Sequence, residues 1–275
     1  MLQSYPVAVE DVVYRTIDGT SLLARLYKPE GPGPFPGVVE VHGGAWTMND
    51  RLANVAIHQP LAARGVVVMA IDFRMPSDVQ YPAPLADINY AVRWLKAHAK
   101  DYGAAADRIG LLGTSSGGHQ AMLAAMRPAD PRYAVDRLEA APDMDATVAF
   151  IVLCWSIVDP LARYKMVTSN GNDRLAAAHR AYWPDEAAMA EGAPQLILER
   201  GEPAALPPGI LLQGTNDDNV TPDMAARFVA AYKAAGGSMT LHEFPGAPHA
   251  FTAREPESAA SKQAIENIVG FIAGF

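Results

Sequence analysis

The stretch Ile109-Gly110-Leu111-Leu112-Gly113-Thr114-Ser115-Ser116-Gly117-Gly118 decides how the rest of the chain is read. Residues 109–112 form a short apolar run of the kind buried as a strand, and residues 119–126 read as a helix. Between them Ser115 stands between Gly113 and Gly117, the G-x-S-x-G pattern of a nucleophile elbow. A turn from strand to helix is sharp at that point. It forces the serine into a crowded backbone conformation and leaves no room for side chains at the two glycines. The hydroxyl is then held out above the sheet. The main-chain N–H of Ser116, at the start of the helix, is left free to bond an anion. A glycine-rich loop without chemistry would carry the same letters, so the pattern is judged by what accompanies it.

Upstream, the valine-rich run 37–41 ends in His42-Gly43-Gly44-Ala45-Trp46. Two successive glycines after a buried strand let main-chain N–H groups face a ligand without obstruction. Such a loop supplies the other half of an oxyanion hole in esterases. Gly43, Gly44 and Ser116 are therefore the expected donors, and His42 is expected to hold the loop rather than to react. The bland alternative is a glycine turn with a packed tryptophan.

Further outward, residues 7–15 and 21–27 read as strands around the Asp18-Gly19 turn, with an exposed loop at 29–36. A helix is expected over 50–64, although Pro60 sits awkwardly in it, then a continuous apolar strand at 66–73 and an amphipathic helix at 84–99. Asp87 and Arg93 on that helix read as structural. Residues 127–145 read as a loop and 147–155 as another buried strand. The strand–helix rhythm then lapses over 156–208, apart from helical patches at 174–182 and 186–191. It resumes with a strand at 209–213, a helix at 223–235 opened by Pro222, a strand at 238–244 and a closing helix at 257–275. A single α/β domain over 1–275 is expected, with a mostly parallel sheet of about eight strands, helices on both faces and 156–208 as a cap over the site. Tyr164, Met166, Tyr182 and Trp183 in that insertion, together with Trp46 and Trp155, are candidates to line a substrate pocket. Packing of the cap onto the core is the equal alternative for the four in the insertion.

The chain has 275 residues, 50% hydrophobic and 19% charged, which is ample for a large core. A net charge of −8 makes nucleic acid and anionic membranes poor partners. The single cysteine, Cys154, leaves no internal disulfide and no Cys-rich zinc site. No basic region followed by an apolar core opens the chain, and no apolar run reaches the ~18 residues of a membrane span. The expectation is a cytoplasmic protein that needs neither metal nor cofactor and acts on a small molecule, with the oligomeric state open between monomer and homodimer.

Ser115, Asp217 and His249 follow one another in the chain, each just past the end of an expected strand. In an open α/β sheet those ends share one edge, so distant residues can converge there. Serine, then acid, then histidine is the order of α/β-hydrolases. His249 is preferred among seven histidines because it follows the last strand in a Gly/Pro loop; His242 lies inside a strand, and His119 lies directly behind the elbow.

With these motifs, HGGAW and GTSSGG, the chain resembles the α/β-hydrolases, in particular the hormone-sensitive-lipase-like and kynurenine-formamidase-like esterase branch, over nearly its whole length. The resemblance implies Ser115 as nucleophile, His249 as base and Asp217 as its orienting acid, with Asp218 as the fallback. The chain departs from the lipase-like pattern where Ala45-Trp46 follow two glycines instead of a third glycine, and where Thr114 and Ser116 flank the serine in place of Asp and Ala. The implied activity is a carboxylesterase on small or medium acyl esters. Hydrolysis of a formamide is the alternative, and a non-catalytic ligand receptor on the same fold is the alternative of another class.

Overall fold

The computed structural model describes residues 4–76 and 78–275. Its centre is an eight-stranded sheet in the order β1-β2-β4-β3-β5-β6-β7-β8. Strands β1 (Val7–Ile17) and β2 (Thr20–Pro29) form the expected hairpin. Asp18 and Gly19 close it at φ 48° and 80°, the positive values that a two-residue turn of this twist requires. Because Pro29 still pairs with Val7, the loop expected over 29–36 shrinks to the few residues before β3 (Phe35–Val41).

Helix α1 (Val55–Ala63), with Pro60 inside it, is shorter than the expected 50–64. The amide of Asn54 is spent on Glu40 and Thr114 rather than on a helix cap, so residues 51–54 stay as turns. Strand β4 (Val67–Ile71) and helix α2 (Ala83–Ala97) follow. Asp87 on α2 is fully buried between Arg15 and Arg74, a structural ion cluster as expected. Then come β5 (Ala104–Thr114), α3 (Ser115–Met126) and β6 (Ile151–Cys154). Strand β6 is shorter than 147–155, although Ala149 N–H still reaches Ile109 O of β5.

The segment 156–208 folds as four helices: α4 (Pro160–Ser169), α5 (Asp173–Tyr182), α6 (Glu186–Glu191) and α7 (Pro194–Glu199). Asp159, Asn172 and Asp185 cap the first three through side-chain oxygens that accept main-chain N–H groups. Strand β7 (Gly209–Gly214), helix α8 (Pro222–Ala234) and strand β8 (Met239–Phe244) complete the sheet. The closing helix expected over 257–275 is α10 (Ala259–Ile272), whose N-cap Ser258 accepts Ser261 N–H, and a short helix α9 (Phe251–Arg254) that was not expected precedes it.

Side chains alternate across the sheet with the period of a strand. Val39, Leu111, Leu153 and Leu211 join one core with α2, α3 and α8; Val38, Leu112, Val152 and Leu212 join the other with α1 and α10. Apart from the β1–β2 and β2–β4 pairings, all neighbours are parallel. This is the α/β-hydrolase fold. The chain leaves β3 toward β4 on one side and returns to β5 on the other, so a crevice opens between the C-terminal ends of β3 and β5, where open α/β sheets place their ligands. Among the described residues no helix is long and apolar enough to cross a membrane.

Candidate active site

Ser115 begins α3 at φ 51°, a conformation costly for a residue with a side chain. Neighbouring glycines make the turn possible. A Cβ on Gly113 would lie 2.6 Å from Gly117 O, and one on Gly117 would lie 2.1 Å from Val41 O. Ala45 and Trp46 in the loop after β3, Trp155 directly after β6, and Ala250 next to His249 also have positive φ. Backbone strain is thus gathered around this serine, as it commonly is at functional sites.

Two loops bring the acid and the histidine to it. Asn216 N–H donates to Ala247 O at 3.0 Å and Gly246 N–H to Thr215 Oγ1 at 2.8 Å, sewing the loop after β7 to the loop after β8. Asp217 Oδ1 accepts the N–H groups of Asn219 and Val220, both at 2.9 Å, and Oδ2 accepts Gln213 Nε2 at 3.1 Å. The carboxylate is thereby fixed, with Oδ2 2.8 Å from His249 Nδ1, while His249 Nε2 lies 3.0 Å from Ser115 Oγ. A neutral imidazole with its proton on Nδ1 satisfies both contacts: Nδ1–H donates to Asp217 and Nε2 accepts the serine hydroxyl. Asp218, the fallback acid, is exposed.

The donors for an oxyanion need one correction. Gly43 N–H donates to Thr114 Oγ1 at 3.0 Å, so unlike Gly44 N–H it is already engaged within the protein. Its role is to pin the loop. Trp46 N–H bonds Ser116 Oγ at 3.0 Å and ties the same loop to α3. The N–H groups of Gly44, Ala45 and Ser116 have no acceptor among the described residues. His42 is buried, stacked on Phe73, and its Nδ1–H donates to Gly43 O.

A cavity of about 350 Å³ reaches Ser115 and His249. A larger groove of about 620 Å³ lies beside Arg15 and Trp94, without this constellation. Of the expected pocket residues only Trp155 lines the cavity at Ser115, with its ring 6.4 Å from that of His249. Trp46, Tyr182 and Trp183 do not. They are almost wholly buried and stack on one another and on His119, holding α5 and its following loop against α3. His119 Nδ1 accepts Trp46 Nε1–H and its Nε2–H donates to Gly192 O. Burial pulls its pKa down to about 4, against a smaller upward pull from that carbonyl. Tyr164 and Met166 pack beside Val167 and Leu175 and do not line the cavity. Arg163, Arg174 and Arg254 do line it. The sequence reading missed all three. Arg254, five residues beyond His249, was the one within reach of inspection.

The geometry can be set beside known proteins. Residues 25–232 match the BD-FAE family model. Esterase LipC of Mycobacterium tuberculosis is 27% identical over 222 residues, 79% of this chain and 53% of that protein. Esterase LipQ of the same organism is 26% identical over 278 residues, 98% of this chain and 64% of that protein. The chain thus spans between half and two thirds of the length of these two relatives. Among solved structures, Thermogutta terrifontis esterase 2 phosphorylated by paraoxon superposes with a TM-score of 0.77 at 23% identity, covering 97% of this chain and 94% of that one.

Proposed function

The chain belongs to the BD-FAE family, and from that premise we propose that it is a serine hydrolase that cleaves small or medium carboxylic esters through an acyl-enzyme. The row Ser115–His249–Asp217, with contacts of 3.0 and 2.8 Å, carries the reading. A neutral serine is a weak nucleophile, so His249 takes its proton as Ser115 Oγ attacks the ester carbonyl. Asp217 holds the imidazole tautomer and offsets the cation that forms. The tetrahedral oxyanion is received by Gly44 and Ser116 N–H, with Ala45 N–H as a third donor. One such donor is worth roughly 2.7–4 kcal/mol in the transition state. His249 then passes the proton to the leaving alcohol, and water repeats the sequence to release the acid. The stretch 156–208 is the cap, whose α4 and α5 reach the cavity wall.

The names of LipC and LipQ, and structures of the Thermogutta esterase with propionate and with butyrate bound, favour an ester over a formamide. Steady-state kcat/KM on p-nitrophenyl butyrate and on N-formylkynurenine separates the two. The ester is expected to turn over at least about a hundredfold faster, ~2.7 kcal/mol in barrier terms. A faster formamide would reverse the assignment.

A further inference from the structure

Charge is distributed unevenly around the cavity. The chain is acidic overall, at −8, and most of its arginines are matched: Arg25 with Asp11, Arg51 with Asp72, Arg64 with Glu266, Arg74 with Asp87, and Arg227 with Glu199. Arg163, Arg174 and Arg254 line the cavity that reaches Ser115, and no aspartate or glutamate among the described residues lines it with them. None of the three has a carboxylate partner there, although Asp173 and Glu255 are next to two of them in sequence.

Arg163 is the most informative. It is 1% exposed, yet its three hydrogen-bond partners are all uncharged. Nε–H donates to Asn219 O at 3.2 Å, one Nη to Asn219 Oδ1 and the other to His179 Nε2 at 2.9 Å. His179 is held neutral, its pKa pulled far down by burial first and by Arg163 second. A guanidinium has five N–H donors, so two remain after these three. Burial lowers the Arg163 pKa to about 10, against an upward pull from the nearby Asp217 carboxylate, which makes no hydrogen bond to it but offsets part of its charge; it remains cationic at neutral pH. Arg174 stands near enough for its charge to push in the same direction as burial. Two like charges facing one partly dehydrated cavity repel each other, and an anion placed between them removes that cost. Pinning the Asn219 loop explains Arg163 by itself. It does not explain why Arg174 and Arg254, both exposed, border the same cavity with no acidic residue among the described residues lining it.

We propose that this site selects esters bearing a free carboxylate, which Arg163, Arg174 and Arg254 bind while Ser115 attacks the ester carbonyl. The proposal rests on the serine-esterase reading. Guanidinium groups suit the task because a carboxylate can take two parallel N–H donors from one of them.

Two substrate pairs test it, one with the charge on the acyl side and one with it on the alcohol side. The first is p-nitrophenyl hemiadipate against p-nitrophenyl hexanoate. The second is 4-acetoxybenzoate against methyl 4-acetoxybenzoate. Each rate is corrected for spontaneous hydrolysis. In at least one pair the anion is expected to have the higher kcat/KM, by about tenfold or more at low salt, with the preference shrinking as salt is raised. Arg174→Gln and Arg254→Gln are each expected to lower the anion-to-neutral ratio several-fold. Because both side chains are exposed, the folded state is expected to tolerate the changes, which circular dichroism checks. Neutral esters cleaved as fast as the anions in both pairs would overturn the proposal and leave the esterase reading standing. Cleavage of none of the four would overturn both.

Discussion

Gly43, two residues past the end of β3, lies beside Thr114, the last residue of β5, and its main-chain N–H donates to Thr114 Oγ1 at 3.0 Å. Thr114 is in turn the middle of a buried chain: its hydroxyl accepts Asn54 Nδ2 at 3.1 Å, Asn54 Nδ2 also reaches Glu40 Oε1 at 2.8 Å, and His58 Nε2 lies 3.0 Å from Glu40 Oε2. The residue beside Ser115 thus fixes the loop that presents Gly44 and Ala45. Thr114→Val keeps the shape and removes the acceptor, leaving a buried N–H unpaired at a cost of about 1–3 kcal/mol. Expected results are a lower urea midpoint and a kcat loss of roughly tenfold or more, with Thr114→Ser close to wild type in both. Equal kcat for the valine variant would show that the bond does not position the loop.

The elbow leaves no space for a methyl group at Gly117. A Cβ there would meet Val41 O at 2.1 Å and His42 O at 2.3 Å, both main-chain atoms held in or beside the sheet. Gly117→Ala is expected to destabilise by about 3 kcal/mol or more, or to leave the protein insoluble. Gly270 in α10 is the contrast, since a Cβ there meets nothing within 4 Å. Gly270→Ala is expected to raise Tm, by the helix propensity of about 1 kcal/mol. A Gly117→Ala protein as stable as wild type would contradict the close packing of the turn.

Two aspartates adjoin after β7, and their surroundings differ. Asp217 is buried and bonded to Gln213, Asn219, Val220 and His249, whereas Asp218 is exposed. Asp217→Asn is expected to lower kcat by up to about 10⁴-fold, since the amide favours the wrong imidazole tautomer. Asp218→Asn is expected to stay within about twofold. The reverse order in steady-state kinetics would move the acid to position 218.

Stability is expected to fall on mild acidification. Burial holds the His119 pKa at about 4 in the folded chain, against about 6.5 when unfolded. His179 is depressed further, by burial and then by Arg163. Below about pH 6.5 the unfolded chain therefore takes up protons that the folded chain refuses. The stabilisation is complete above that value and is lost as pH falls toward about 4, by about 1.4 kcal/mol per pH unit for each histidine. Urea titrations between pH 7.5 and 5 measure the slope, and His119→Gln is expected to remove about one proton from it. An unchanged slope in the variant would contradict the buried neutral state.

Much of the site was legible because it depends on local backbone chemistry. Gly113 and Gly117 mark a turn that little else can make, and Ser115, Asp217 and His249 each follow a strand whose end the apolar pattern reveals. The occupied N–H of Gly43 was not legible, because its acceptor is 71 residues away. For Trp46, Tyr182 and Trp183 the choice between pocket and core stayed open for a related reason. A large aromatic side chain fits a pocket or a core equally well until the neighbouring helix is placed, and here α5 packs them inward on α3. The same placement turns Arg174 toward the cavity. No periodicity in the polar stretch around it announces that, since an exposed arginine on a short helix looks like any solvated face.

The central claim is that the Ser115 hydroxyl is a nucleophile activated by His249. Its most direct test is covalent labelling with a fluorophosphonate probe, read by intact mass and peptide mapping. One adduct per chain on Ser115, absent in Ser115→Ala and strongly slowed in His249→Ala, is the expected result. An unlabelled protein that still hydrolyses esters, or an adduct on another residue with the activity of Ser115→Ala intact, would contradict it.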